Sequence, residues 1–310
     1  MDRTHSQHSK DAIQVTHQDA RSILTETRGF TSVTVPDTGF HYSLNPYRGC
    51  TFNCSYCYAA AFVFDDDARQ NWGRWVAVKA NAEQLLQAAG RKGKLRNKNV
   101  YMSTVTDPYQ PIERKLQLTR ACLQAMLLFP PRLLTVQTRS PLVVRDNDLF
   151  QRMTPGRIAV CMSITTDDEA VRRIFEPACA PIAKRLEAIR TVREAGIPTQ
   201  ASIAPLLPCN AERLADLLDP AVDWVVVSSF RDDGGEGRKT RQWAAELYRE
   251  HGYGNYLHDG DEHVRQTTAT LQRLLGPERV RVGKDGFDQV CRELGVDEPQ
   301  LEQTSFLPVH

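Results

Sequence analysis

The sequence predicts an α/β fold built from parallel βα units, and three observations carry that prediction. From about residue 40, short apolar segments alternate with amphipathic ones. The amphipathic segments stop at glycine or proline, as helices do. The chain has 310 residues, 41% of them hydrophobic and 25% charged, which suits one large globular domain with trimmings better than two separate domains. Six βα units are compatible with either a partial barrel or an open doubly wound sheet. In both, reactive groups collect at the C-terminal ends of the strands.

The predicted strands are His41–Leu44, Val100–Val105, Leu133–Gln137, Ile158–Ile164, Thr199–Ala204 and Trp224–Ser228. A helix over Ala82–Ala89 follows Asn81 as N-cap and stops at Gly90. Leu118, Cys122, Met126 and Phe129 mark the apolar face of a second helix, ended by Pro130-Pro131. Ile182, Leu186 and Ile189 stripe a third, closed by Gly196 and Pro198. Residues 1–38 read as a loosely ordered arm without sustained periodicity, ending in the turn Pro36-Asp37-Thr38-Gly39. The barrel is expected over residues 39–232. The glycine-rich connection Asp232–Gly237 opens a helical C-terminal cap, 233–310, with helices at Trp243–Arg249 and Thr267–Leu275.

A formal net charge of +1 supplies no global attraction to nucleic acid or anionic membrane. No apolar run approaches the roughly 20 residues of a membrane helix. The polar first 20 residues lack the apolar core of a signal peptide, so a cytoplasmic address is expected. In that reducing compartment eight cysteines are ligands or core residues rather than disulfides. Three of them fall within eight residues, and the other five are scattered.

Cys50, Cys54 and Cys57 have the spacing C-x3-C-x2-C on the loop after the first predicted strand. Thiolates are soft ligands that suit iron–sulfur clusters and zinc. Closed zinc sites want four ligands, usually as two separated pairs, and no fourth cysteine lies near in sequence. The spacing alone leaves open a zinc site completed from a distance.

With Tyr56 just before the third cysteine, this triad resembles the signature of the radical SAM superfamily. The flanks Leu44-Asn45-Pro46-Tyr47-Arg48-Gly49-Cys50 and Cys57-Tyr58-Ala59 are similar to the branch related to spore photoproduct lyase. So are Thr104-Val105-Thr106-Asp107-Pro108-Tyr109-Gln110-Pro111, Ser163-Ile164-Thr165-Thr166 and Ala204-Pro205-Leu206-Leu207-Pro208. The resemblance covers about residues 40–230. It implies a partial (β/α)6 TIM-like barrel and a [4Fe–4S] cluster on Cys50, Cys54 and Cys57. It further implies S-adenosylmethionine (SAM) at the open iron, cleaved reductively to a 5′-deoxyadenosyl radical that abstracts hydrogen from a substrate. A flavodoxin- or ferredoxin-type electron donor is implied with it.

On that resemblance, Tyr56 stands near the adenine. Thr106 and Asp107 accept from the methionine ammonium, and Arg139 pairs with its carboxylate. Ser163 reaches the ribose, and Ala204 and Pro205 form an apolar floor. Tyr58 is a candidate redox relay. Thr104 stands where the related lyase has a hydrogen-donating cysteine, and an O–H bond is too strong to replace S–H. Cys209, just past the fifth predicted strand, is the candidate rim thiol. Gly234-Gly235-Glu236 reads as a flexible loop far from where the family's glycine-glycine-glutamate stretch belongs.

Cys122 and Cys161 are expected in the core, while Cys179 and Cys291 lack partner spacing. The basic run Arg91, Lys92, Lys94, Arg96 and Lys98 reads as a solvated face at the non-catalytic end of a strand. Arg231, Arg238, Lys239 and Arg241 lie nearer the rim, where they can meet phosphates. Tyr109, Trp72 and Trp75 are aromatic residues able to stack a base. The substrate is left open between a nucleic-acid base and a small metabolite. The competing function is a non-catalytic iron–sulfur or zinc protein that uses the triad for electron transfer or structure.

Overall fold

The computed structural model describes residues 12–28, 31–33, 38–153, 157–229, 242, 244–258 and 260–294. Strands are β1 Gln14–Gln18, β2 Leu24–Glu26, β3 Tyr42–Leu44, β4 Tyr47–Arg48, β5 Trp75–Lys79, β6 Asn99–Met102, β7 Leu133–Thr138, β8 Ile158–Ser163, β9 Thr199–Ile203, β10 Trp224–Val227 and β11 Val280–Val282. Eight of them form one sheet in the order β11-β10-β9-β8-β7-β6-β3-β2. Every pair in it is parallel except β2 with β3. Among the described residues the two outer strands do not pair with each other, so the barrel is partial and open. All six predicted strands are present, as β3 and β6–β10.

These strands form where they do because both faces are covered. In β8 every residue is buried, which the continuous run Ile158-Ala159-Val160-Cys161-Met162 satisfies without alternation. Val100, Met102, Leu134, Val136, Ile158 and Val160 pack with the surrounding helices. The alternate residues Tyr101, Leu133, Ala159 and Val226 face inward against Phe40, Phe287 and Val290. The helix Gly283–Leu294 therefore plugs the barrel interior.

The sequence expectations need correcting at several points. The arm is not featureless, since β1 pairs in parallel with β5 and β2 adds antiparallel to β3. Asn81 does not cap its helix, Ala82–Arg91. Its side chain instead exchanges hydrogen bonds with the Ala20 backbone, at 2.8 and 3.0 Å, and pins the arm. Gly90 lies inside that helix because a Cβ there would stand 2.4 Å from the Phe129 ring.

The second and third predicted helices run Leu118–Leu128 and Ile182–Glu194. The C-terminal part adds a strand, β11, to its helices, so it extends the sheet as well as capping it. Thr267–Leu275 falls within the helix Gly260–Leu275, and 244–250 are helical, while Trp243 lies outside the described residues. The Asp232–Gly237 connection, Arg231, Arg238, Lys239, Arg241, Pro36 and Asp37 also lie outside them. No described helix is long and apolar enough to cross a membrane.

Candidate functional site

The segment after β3 passes through β4 into the cysteine loop, which lines one cavity with residues that follow β6, β7 and β9. Gly49 takes a positive φ of +80° there, and a Cβ would meet Trp75 at 2.7 Å. Asn45 ties this segment to the end of β6. Its Oδ1 accepts from the Thr104 and Val105 N–H groups at 3.0 and 3.2 Å, and its Nδ2 donates to Thr104 Oγ1 at 3.1 Å. Gln110 Oε1 accepts from the Thr51 N–H at 3.1 Å, and Thr106 Oγ1 donates to the Gly49 carbonyl at 2.5 Å. Two stretches far apart in sequence thus brace each other and fix the loop between them.

A cavity of about 320 Å³ opens beside the loop, at the small end of the range for ligand sites. Cys50, Cys54, Cys57, Tyr56, Tyr58, Thr106, Asp107, Arg139, Ser163, Ala204 and Pro205 all line it. Cys209 is the one predicted site residue placed elsewhere. It lines a separate hollow with Asp168, Tyr253 and Tyr256, and burial with the Asp167 carboxylate nearby pushes its thiol up to about 12.

Burial raises the Cys50 thiol well above its ordinary value, with Asp107 adding to it, and burial also raises Cys57. Cys54 Sγ lies 3.7 Å from Cys179 Sγ and 2.9 Å from Arg139 Nη1. Among the described residues no three His, Cys, Asp or Glu side chains are gathered as a metal-binding set. In kind the three cysteines suit an iron–sulfur cluster, being soft donors on one loop, and all three line one cavity.

Asp107 is buried, and three of the roughly four lone-pair sites of its carboxylate are taken. The Thr138 hydroxyl and the Tyr109 N–H donate to Oδ1 at 2.7 and 2.8 Å, and the Arg139 N–H donates to Oδ2 at 2.9 Å. Arg139 Nη1 donates to Tyr56 Oη and to Glu176 Oε1, both at 3.0 Å. Among the described residues its side-chain hydrogen bonds all run from Nη1, and Arg139 lines the cavity. Ser163 Oγ accepts from Gln137 Nε2 at 3.1 Å, and the Tyr58 hydroxyl donates to the Thr104 carbonyl.

Sequence reasoning missed Glu176, which is 0% exposed and bonded to two of the predicted site residues. Burial raises its carboxyl, but the Arg185 and Arg139 guanidiniums and the Tyr56 hydroxyl outweigh that and hold it at about 2. One signal was available. Arg185 sits at i+3 from Ile182 on the apolar stripe of its helix, and a charge on a buried face demands a partner. Tyr109 is unavailable for base stacking, since it is fully buried with its hydroxyl on Asp146 at 2.9 Å. Trp72 lines the cavity, but Trp75 does not. Cys122 and Cys161 are core residues as expected, and the Arg91–Lys98 basic run is largely exposed around buried Leu95.

The family model described as the Radical SAM superfamily matches residues 44–221, more than half of the chain. The chain belongs to the radical SAM superfamily. It is 35% identical over 188 residues to an uncharacterised protein of Methanocaldococcus jannaschii, covering 61% of this chain and 65% of that one. It is 30% identical over 172 residues to an uncharacterised protein of Mycobacterium tuberculosis, covering 54% and 50%. The chain therefore spans just under two thirds of the first relative and half of the second.

Among solved structures it resembles a mutant of the radical SAM family member spore photoproduct lyase with dinucleoside spore photoproduct. The TM-score is 0.57 at 15% identity, covering 86% of this chain and 81% of that one. A second mutant of that lyase, with bound AdoMet and the same dinucleoside, gives 0.55 at 17% identity and the same coverage. At such identities the likeness is one of fold.

Proposed function

We propose that this protein is a radical SAM enzyme in which Cys50, Cys54 and Cys57 hold a [4Fe–4S] cluster and the adjoining cavity takes S-adenosylmethionine. When bound, the pair supplies a 5′-deoxyadenosyl radical, through one-electron cleavage of the sulfonium, that abstracts hydrogen from the substrate. The observation that carries this reading is the convergence of the cysteine triad and eight further predicted residues on one cavity at the strands' C-terminal ends.

The chain's own groups divide the work of binding. The Nη2 and Nε groups of Arg139 take the methionine carboxylate in a bidentate pair. The remaining acceptor site of Asp107 and the Thr106 hydroxyl take the ammonium. Tyr56 lies along the adenine, Ala204 and Pro205 form its floor, and Ser163 binds the ribose. The Tyr58 phenol, at the cavity wall, serves as relay. The interior chain Tyr101–Gln137–Ser163 lines the space beyond with polar atoms suited to a base or a small metabolite. A flavodoxin- or ferredoxin-type protein in a reducing cytoplasm supplies the electron.

Anaerobic loading with ferrous iron and sulfide, followed by metal analysis and EPR of the reduced protein, tests the assignment. A [4Fe–4S] signal that shifts on adding S-adenosylmethionine is expected. Zinc in place of iron, or a cluster signal indifferent to S-adenosylmethionine, overturns it and leaves a structural or electron-carrying metal site.

A further inference from the structure

We infer that Glu176 is a positioning residue of the S-adenosylmethionine site, fixing the Arg139 guanidinium and the Tyr56 ring at the cavity wall so that Nη2 and Nε of Arg139 meet the methionine carboxylate. The inference rests on the function proposed above and assigns a role to a residue outside the family's cysteine motif.

Glu176 is the junction of four groups from separate parts of the chain. Its Oε1 accepts from Arg139 Nη1 at 3.0 Å, from Thr165 Oγ1 at 2.8 Å and from the Tyr56 hydroxyl. Its Oε2 pairs with Arg185 Nη2 at 2.5 Å. Arg185, 1% exposed at its side chain, also donates from Nη1 to the Ser163 carbonyl at 3.1 Å. One carboxylate thereby links the cysteine loop, the residue after β7 and the residues at the end of β8. The Arg139 carbon Cζ also lies over the Tyr56 ring, 5.9 Å from its centre.

Of the charged groups in this ion-pair network, Arg139 is the one that lines the cavity, whereas Glu176 and Arg185 lie behind it. Arg139 and Arg185 both pair with the Glu176 carboxylate, while Asp107, the buried carboxylate that lines the cavity, meets Arg139 through its backbone N–H. Buried ion pairs are weak sources of net stability compared with apolar packing of similar volume. An incoming carboxylate would pair with the remaining N–H groups of Arg139. Glu176 fixes where those groups point, because it takes Nη1 and leaves Nη2 and Nε.

The test compares cluster-loaded wild type, Glu176→Gln, and the charge-balanced double variant Glu176→Gln/Arg185→Met. Three quantities are read: iron content, melting temperature, and the dissociation constant for S-adenosylmethionine by equilibrium dialysis on the oxidised protein. The double variant removes one cation with the anion, so a purely structural role predicts recovery of both melting temperature and affinity. The positioning role predicts recovered melting temperature and iron content with S-adenosylmethionine affinity still weakened about tenfold or more, the scale of one charge-assisted contact. Wild-type affinity in either variant overturns the inference. Failure of both variants to fold also overturns it and makes Glu176 a stabilising residue alone. Wild type that takes up no cluster or binds no S-adenosylmethionine refutes instead the function on which the inference stands.

Discussion

Arg139 Nη1 stands 2.9 Å from Cys54 Sγ, so the cation expected to meet the cofactor's carboxylate also touches a sulfur of the expected cluster. Replacing Arg139 by Ala removes the proposed carboxylate partner while leaving all three thiols in place. Hydrogen bonds to charged groups contribute about 1.5–3 kcal/mol, so S-adenosylmethionine binding is expected to weaken by roughly ten- to a hundredfold. Iron content should stay at the wild-type level. Equilibrium dialysis and iron analysis measure both, and unchanged affinity removes Arg139 from the site.

Acid stability follows from Glu176, whose carboxyl is held at about 2 against an ordinary 4.5. A depressed carboxyl stabilises the folded state above the unfolded value, and that contribution is lost as pH falls through the folded one. The stabilisation, on the order of 3 kcal/mol, is therefore complete above about pH 4.5 and fades towards pH 2. Urea unfolding of the cluster-free protein between pH 6 and pH 3 should show it. Glu176→Gln is expected to be less stable at pH 6 and to have a flatter profile below pH 4.5. An equally steep profile in the variant would assign the acid sensitivity to other carboxyls.

Asn45 makes three hydrogen bonds to the 104–105 turn from the cysteine-loop side. Asn45→Ala leaves the Thr104 and Val105 N–H groups without that acceptor, which costs about 1–3 kcal/mol. Urea denaturation reads the loss, and cluster loading should slow because the loop is no longer braced against β6. Wild-type stability and loading would show that the brace has no role in shaping the loop.

Gly90→Ala opposes helix propensity to packing. Alanine favours a helix interior by about 1 kcal/mol over glycine, whereas here its Cβ lies 2.4 Å from the Phe129 ring. Overpacking of that kind costs about 1–3 kcal/mol, so a net loss of stability is expected. A rise in melting temperature would mean that Phe129 moves aside freely.

The strands legible in the sequence are those buried on both faces, because they need continuous apolar runs. Residues 14–18 gave no such signal, since every residue of β1 is exposed and its pairing with β5 is a tertiary matter. The three residues of β11 are too few to show a period, and the helix that plugs the barrel begins Gly-Lys-Asp-Gly, which reads as a turn. Within the site, the triad was legible because its spacing is local. Glu176 was not, because its partners Tyr56, Arg139 and Arg185 are brought together only by the folded sheet. Asn81 shows the opposite case, a local cap signal overridden by a longer-range bond to Ala20.

Release of 5′-deoxyadenosine from the anaerobically reduced, iron-loaded protein tests the central claim most directly. Wild type supplied with S-adenosylmethionine and a low-potential reductant is expected to form it, and Cys54→Ala to form none and to lose the [4Fe–4S] signal. Retention of both the signal and 5′-deoxyadenosine formation in Cys54→Ala, or no 5′-deoxyadenosine from fully loaded wild type, would contradict the account.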